Sequence, residues 1–167
     1  ITVGENIIID AKNFEALAGE NTYKNDTKSN SMGMNVGYDI VNQNALGGLN
    51  AAAGNSNTTS KSYDNTFISA GGTFQLTTKE DATFKGANVI ADKINFDIGK
   101  NLNIISLQDE YKSHGENSSV GLNVSGKLPG TQAQQGYAIP TIGGGHSENN
   151  EESKWVSNQT SIIANNG

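Results

Sequence analysis

The 167-residue chain contains no cysteine and no arginine. Without cysteine there is no disulfide framework and no thiolate metal site. All 11 basic residues are lysine, set against 17 acidic ones, and the net charge is −6. That balance leaves no positive face to meet phosphates, so nucleic acid is not an expected partner. Aromatic residues make up 7% of the chain and apolar residues 34%, which is less core material than a compact globule of this length usually carries. No apolar run reaches the ~18 residues of a membrane-spanning helix. The chain opens on Ile1, not Met, without a charged-then-apolar leader, and is read as a segment of something longer. Charged residues reach only 17%, which is not the charge-rich profile of a disordered chain.

What the chain has in quantity is Gly (20 residues), Asn, Ser and Thr. This fits short strands joined by Gly and Asn turns. Self-similarity organises them. Val3-Gly4-Glu5-Asn6-Ile7-Ile8-Ile9 matches Ile98-Gly99-Lys100-Asn101-Leu102-Asn103-Ile104, and Ala70-Gly71-Gly72-Thr73-Phe74-Gln75-Leu76 is a third copy. A fourth opens at Ala164-Asn165-Asn166-Gly167. Over longer range, Thr66–Ala70 aligns with Thr160–Ala164 at an offset of 94 residues. Tyr23-Lys24 with Met34-Asn35-Val36 aligns with Tyr111-Lys112 with Leu122-Asn123-Val124 at an offset of 88. Extra residues near Phe14 to Glu20 absorb the difference. The chain is therefore a single fragment of a repeat array, spanning 1–167.

Each repeat has two textures. Residues 1–19, 67–108 and 159–167 are dense in short alternating apolar runs. Period-2 alternation indicates strand. The expected interior is Ile7, Ile9, Phe74, Leu76, Phe84, Val89, Ile94, Phe96, Leu102 and Ile104. Turn residues punctuate these runs about every ten positions, and Leu76 and Phe96 fall twenty apart, about one coil of a solenoid. Stacked coils bury such residues in one continuous interior that no single coil can form alone. The second texture, 20–65 and 109–158, is rich in Gly, Ser, Asn and Ala. Within it Met32, Met34, Val36, Tyr38 and Ile40 alternate with polar or small residues, as do Val120, Leu122 and Val124. Tyr137, Ile139 and Ile142 offer a return strand, with Pro140 suited to an edge. These segments are read as long β-hairpins leaving the coils. Their alternating faces either pack on protein or seek a membrane, since outer-membrane strands need about nine to eleven such residues.

Catalytic and metal chemistry finds little footing. Asp81, Asp92, Asp97 and Asp109 fall at turns or outward strand positions and are read as solvated coil surface. His114 and His146 have no Cys or second His at ligand spacing. No phosphate-binding Gly-rich loop ends in Lys-Ser/Thr, and the Gly-Gly-x-Gly-x-Asp calcium motif is absent. Asn-x-Ser/Thr triplets occur at Asn25, Asn57, Asn117, Asn123 and Asn158, as expected by chance in a chain of this composition. Trp155 is read as an anchor at the hairpin base. Neither a cofactor nor enzymatic activity is expected.

The order and spacing of Ala70–Thr77, Thr83-Phe84-Lys85-Gly86-Ala87, Asp92-Lys93-Ile94 and Ile98–Asp109 resemble the repeats of filamentous-haemagglutinin-type proteins. The likeness is to the second repeat region of contact-dependent growth-inhibition effectors. It is strongest over 67–125, extends over 1–40, and is weak in 41–65 and 126–158. The inserted residues near Phe14 to Glu20 and the Pro-containing segment Leu128–Pro140 depart from it. The resemblance implies an all-β chain of right-handed parallel β-helix coils with extruded hairpins. It further implies a protein exported by two-partner secretion through an outer-membrane transporter and displayed on the bacterial surface. Such repeats build a filament that adheres to cells or delivers a C-terminal toxin to a neighbour.

Three functions follow as expectations. The first is a structural and adhesive repeat segment whose partners are neighbouring repeats and the target-cell surface. The second is a toxin-delivery module that engages the target outer membrane through its hairpins. The third is a carbohydrate-active β-helix, disfavoured because such enzymes commonly use Arg as base. Unpaired strand edges on the isolated chain are expected to favour a homodimer.

Overall fold

A computed structural model describes residues 1–127 and 136–166. Part of the Pro-containing segment, 128–135, and the terminal Gly167 of the fourth repeat opening lie outside the described residues. The chain is all-β. Among the described residues its twelve strands are β1 (Thr2–Val3), β2 (Ile7–Ala11), β3 (Phe14–Leu17), β4 (Gly19–Asp39), β5 (Asn44–Asp64), β6 (Thr66–Thr78), β7 (Ala82–Lys85), β8 (Ala87–Ile98), β9 (Leu102–Ile105), β10 (Asp109–Lys127), β11 (Tyr137–Trp155) and β12 (Ser161–Ala164). They fall into two compact units. The first holds Ile1–Tyr23, Ser60–Tyr111 and Glu152 onward; the second holds Lys24–Thr59 and Lys112–Glu151.

In the first unit the pairing is parallel. One sheet runs β1-β6-β8-β12 with β2 also on β6, and another runs β3-β7-β9. Leu76 pairs with Phe96 and Phe84 with Ile104, twenty residues apart, whereas Ile7 pairs with Phe74 and Ala16 with Phe84 across the long excursion of β4 and β5. The register slips once, where Gly71-Gly72 oppose a single residue, Asp92, of β8. This two-against-one count is a β-bulge. Because the pairing is in register, like positions stack into columns. Ile7, Phe74 and Ile94 form one; Ile9, Leu76 and Phe96 a second; Phe14, Ala82 and Leu102 a third; Ala16, Phe84 and Ile104 a fourth; Ile68, Val89 and Ile162 a fifth.

Burial follows position within a column. Phe74, Leu76, Phe84 and Val89 have neighbours on both sides and are fully buried. Ile7, Ile9, Ile94 and Phe96 occupy flanking strands and are partly buried against that core. Leu102 and Ile104, expected inside, are 42% and 50% exposed. The physical reason is that, among the described residues, β9 is the last strand of its sheet, with β7 as its one neighbour. Phe14, Phe84, Phe96 and Phe74 form a run of ring contacts at 5.3, 5.6 and 6.0 Å between centroids, within the range that adds to simple burial.

The turns stack as well. The Asp81 amide donates to Asn13 Oδ1 at 3.2 Å, and the Asn101 amide and side chain donate to Asp81 Oδ1 at 3.0 and 2.9 Å. One position earlier, Glu80 Oε1 lies 3.4 Å from Lys12 Nζ and 3.7 Å from Lys100 Nζ. The corner between β7 and β8 needs Gly86, whose φ is +63°. A Cβ there would also lie 2.6 Å from the Ala18 methyl.

In the second unit the pairing is antiparallel, from the sheet of order β11-β10-β5-β4. Gly33 lies against Asn50, Gly37 against Leu46, Gly48 against Asn35 and Asn123, and Gly54 against Ser29 and Asn117. Numbers rise on one strand as they fall on the next. The turn between β4 and β5 is closed by Asp39, whose Oδ1 accepts the Val41 and Asn42 amides at 2.9 and 3.1 Å. The Asn42 side chain donates to Oδ2 at 2.8 Å, and it is the main reason the Asp39 carboxyl titrates below its ordinary value. Ile40, expected as the last alternating strand residue, lies in this turn.

Candidate interaction surface

The four strands of the second unit place two chemically different faces back to back. Side chains alternate along a strand, so the register decides which residues share a face. Since Asn35, Gly48 and Asn123 stand in one cross-strand row, Met34, Leu49 and Leu122 form the next row on the other face. The Ser118–His146 hydrogen bond at 2.9 Å fixes β11 against β10 and adds Ile142 to that row. Rows above and below hold Met32, Ala51 and Val120, and Val36, Gly47 and Val124. A shallow depression on this face is lined by Met32, Ala51, Ala53 and Val120.

This face is apolar and open. Met32, Met34 and Val36 are 87%, 76% and 81% exposed, and Tyr38, Leu49, Val120 and Ile142 are exposed as well. Contiguous apolar surface spread over four strands is unusual on a free protein and marks a site of interaction. Seven of the eight hairpin residues expected from the sequence, Met32, Met34, Val36, Tyr38, Val120, Leu122 and Val124, sit on these strands; Ile40 does not. Sequence reasoning missed Leu49, Ala51 and Ala53. Gly47-Gly48 and Ala51-Ala52-Ala53 carry no apolar–polar contrast, so period 2 leaves no trace there.

The opposite face carries Asn35, Asn50, Asn123, Ser29, Asn117 and Ser119, with glycines between. A second depression, lined by Thr27, Ser29, Ser56, Asn117, Ser147 and Asn149, opens there. His114 belongs to the same unit. One ring nitrogen lies 2.5 Å from Asn150 Oδ1, the other 3.3 Å from Glu116 Oε1. These acceptors, Asn150 first, raise its pKa above the ordinary histidine value.

In the first unit, Asp109 is a polar group that sequence reasoning placed wrongly. It is buried, not solvated. Its Oδ1 accepts the Tyr63 amide at 2.9 Å, and its Oδ2 accepts the Ser157 hydroxyl. Ser157 in turn accepts the Trp155 indole N–H at 2.9 Å. This network ties the starts and ends of long strands together: β5 ends at Asp64, β10 begins at Asp109 and β11 ends at Trp155. Across from it, Lys61 meets Glu20 at 2.9 Å, and that contact raises the lysine pKa.

With repeats, stacked registers and surface in view, comparison with known proteins decides the family. The family model described as haemagglutinin repeat matches residues 1–121. The chain belongs to the haemagglutinin-repeat family. This haemagglutinin-repeat chain is 26% identical over 141 residues to the "Deoxyribonuclease CdiA" of Yersinia pseudotuberculosis, covering 83% of the chain and 12% of that protein. It is 30% identical over 146 residues to a "Toxin CdiA" of Escherichia coli, covering 83% of the chain and 5% of that protein. It is 32% identical over 132 residues to the "tRNA nuclease CdiA" of Yersinia mollaretii, covering 72% of the chain and 4% of that protein. The chain thus spans a small fraction of these relatives. No solved structure gives a significant match.

Proposed function

We propose that this chain is a structural and adhesive segment of a large exoprotein secreted to the bacterial surface, of the contact-dependent inhibition type. In this reading the first unit is a stretch of right-handed parallel β-helix whose coils stack into a filament. The second unit displays a sheet towards the target cell. Its partners are neighbouring repeats, an outer-membrane transporter during export, and the target surface. On this reading it carries no catalytic activity of its own; the nuclease names belong to relatives of which the matched segment is 12% and 4%.

One observation carries the reading: residues such as Phe84 are buried only because in-register neighbours, here Ala16 and Ile104, stack on both sides of them. A single coil cannot bury its own interior, so this construction makes sense as part of an array. The open apolar face favours a second reading, a delivery module that engages the target outer membrane. Strands with one apolar face suit a lipid boundary.

Binding of the purified, labelled chain to susceptible bacteria tests the first reading, and outer-membrane vesicles beside protein-free lipid vesicles test the second. Saturable binding to cells that falls at least tenfold with Met34→Glu/Val36→Glu is expected. Binding that also extends to protein-free lipid moves the assignment to the membrane reading. A folded chain that binds none of these contradicts both.

A further inference from the structure

The two hairpins of the second unit join each other through one seam, β5 to β10, which leaves β4 and β11 as the outer strands of the sheet. We propose that these two edges are complementary, and that a second copy of this chain joins head to tail. Its β4 pairs with β11 in the register by which β10 pairs with β5. The inference extends the reading of the chain as one link of an array, in which the next repeat's hairpin takes the place of the second copy.

The repeat itself supplies the template. Met34 of β4 and Leu122 of β10 are equivalent positions, 88 residues apart. Leu49 of β5 stands between them, in the register set by Gly48 lying against Asn35 and Asn123. Ile142 of β11 stands beside Leu122 as Leu49 stands beside Met34, and its far side is free. Continuing the pattern sets Met34 of the incoming copy against Ile142, strands antiparallel. The apolar row then runs unbroken across the joint.

Charge follows the same register. Six residues along, Lys28 of one copy falls opposite Glu148 of the other; four further, Lys24 falls opposite Glu152. No like charges face one another along the seam. Opposite charges directly across two strands stabilise a pairing, whereas like charges oppose it. The edges also call for a cover. β4 is 21 residues long and contains no proline, and a long bare edge is a template for strand addition; β11 carries one, Pro140, opposite Val36 of the incoming strand, where the seam forgoes at most one ladder hydrogen bond. Because the joined surfaces differ, β11 on one copy and β4 on the next, association is head to tail and leaves an edge free for a further copy.

The absence of cysteine makes cross-linking a clean test. In the double variant Met34→Cys/Ile142→Cys the two thiols of one chain are three strand spacings apart, about 14 Å, too far for an internal disulfide. Mild oxidation should therefore give a ladder of dimers, trimers and longer chains on non-reducing gels. The variant Asn35→Cys/Ile142→Cys puts the thiols on opposite faces and should stay monomeric. Adding Lys28→Glu to the first variant should cut the ladder about twofold to fivefold, and adding Glu148→Lys on top should restore it. Monomer alone from a variant that melts like the parent overturns the joint while leaving the coil and the adhesion reading standing. Equal ladders from both cysteine pairs overturn the register.

Discussion

The two units are both built from strands, yet they earn order by different means. In the first, parallel strands stack at a twenty-residue period and bury Phe74, Leu76, Phe84 and Val89 completely. In the second, antiparallel strands of up to 21 residues bury almost nothing, and the apolar residues of one face stay open. The first unit is held chiefly by side chains excluded from water. The second is held by cross-strand hydrogen bonds and pairs of side chains, the unit of stability in an exposed sheet. The same residue type therefore does different work: a valine at position 89 is core, a valine at position 36 is surface.

That contrast breaks most sharply under a charge. Phe84→Asp places a carboxylate in a column closed on both sides, where burial of an unpaired charge has a large cost. Even Phe84→Ala should lose about 3–5 kcal/mol. Val36→Asp should change stability by less than about 0.5 kcal/mol. Thermal melts of the three variants check this, and a Val36→Asp chain as destabilised as Phe84→Asp would erase the distinction between the units.

A smaller effect sharpens the role of buried polar contacts in the first unit. Asp109→Ala leaves the Tyr63 amide and the Ser157 hydroxyl without their acceptor, which should remove about 1–3 kcal/mol. Denaturant titration measures it, and an unchanged midpoint would mean that water replaces the carboxylate at no loss.

The smallest effect lies in the second unit. His114 has its pKa raised in the folded chain by Asn150 and then Glu116. A raised folded value means that protonation favours folding. The contribution is complete below the unfolded value near ~6.5 and disappears as pH rises through the folded value. His114→Gln should flatten that part of the stability–pH curve and leave the alkaline side unchanged. A parent curve that rises with pH through this window would reverse the assigned sign.

Much of the first unit is legible in the sequence because its physics is local and periodic. An apolar residue at every second position, Gly or Asn at the corners and a twenty-residue spacing between Leu76 and Phe96 are all visible in one chain. Leu102 and Ile104 are exposed for a reason the local pattern does not contain: how many strands lie beyond them. Asp109 is misread because its partners stand 46 and 48 residues away. In the second unit, β4 announces itself through Met32, Met34 and Val36. Its neighbour β5 is silent, since glycine and alanine runs look alike on both faces. The apolar face becomes visible only once register brings Leu49 between Met34 and Leu122.

The claim on which the rest stands is the in-register stacking of like positions in parallel strands. Proton–proton Overhauser contacts among assigned side chains test it most directly. The account predicts contacts from Phe84 to both Phe14 and Phe96, and from the Leu76 methyls to Ile9 and Phe96, residues 67 and 20 positions away. Aromatic rings of a folded chain that contact only their sequence neighbours would contradict it.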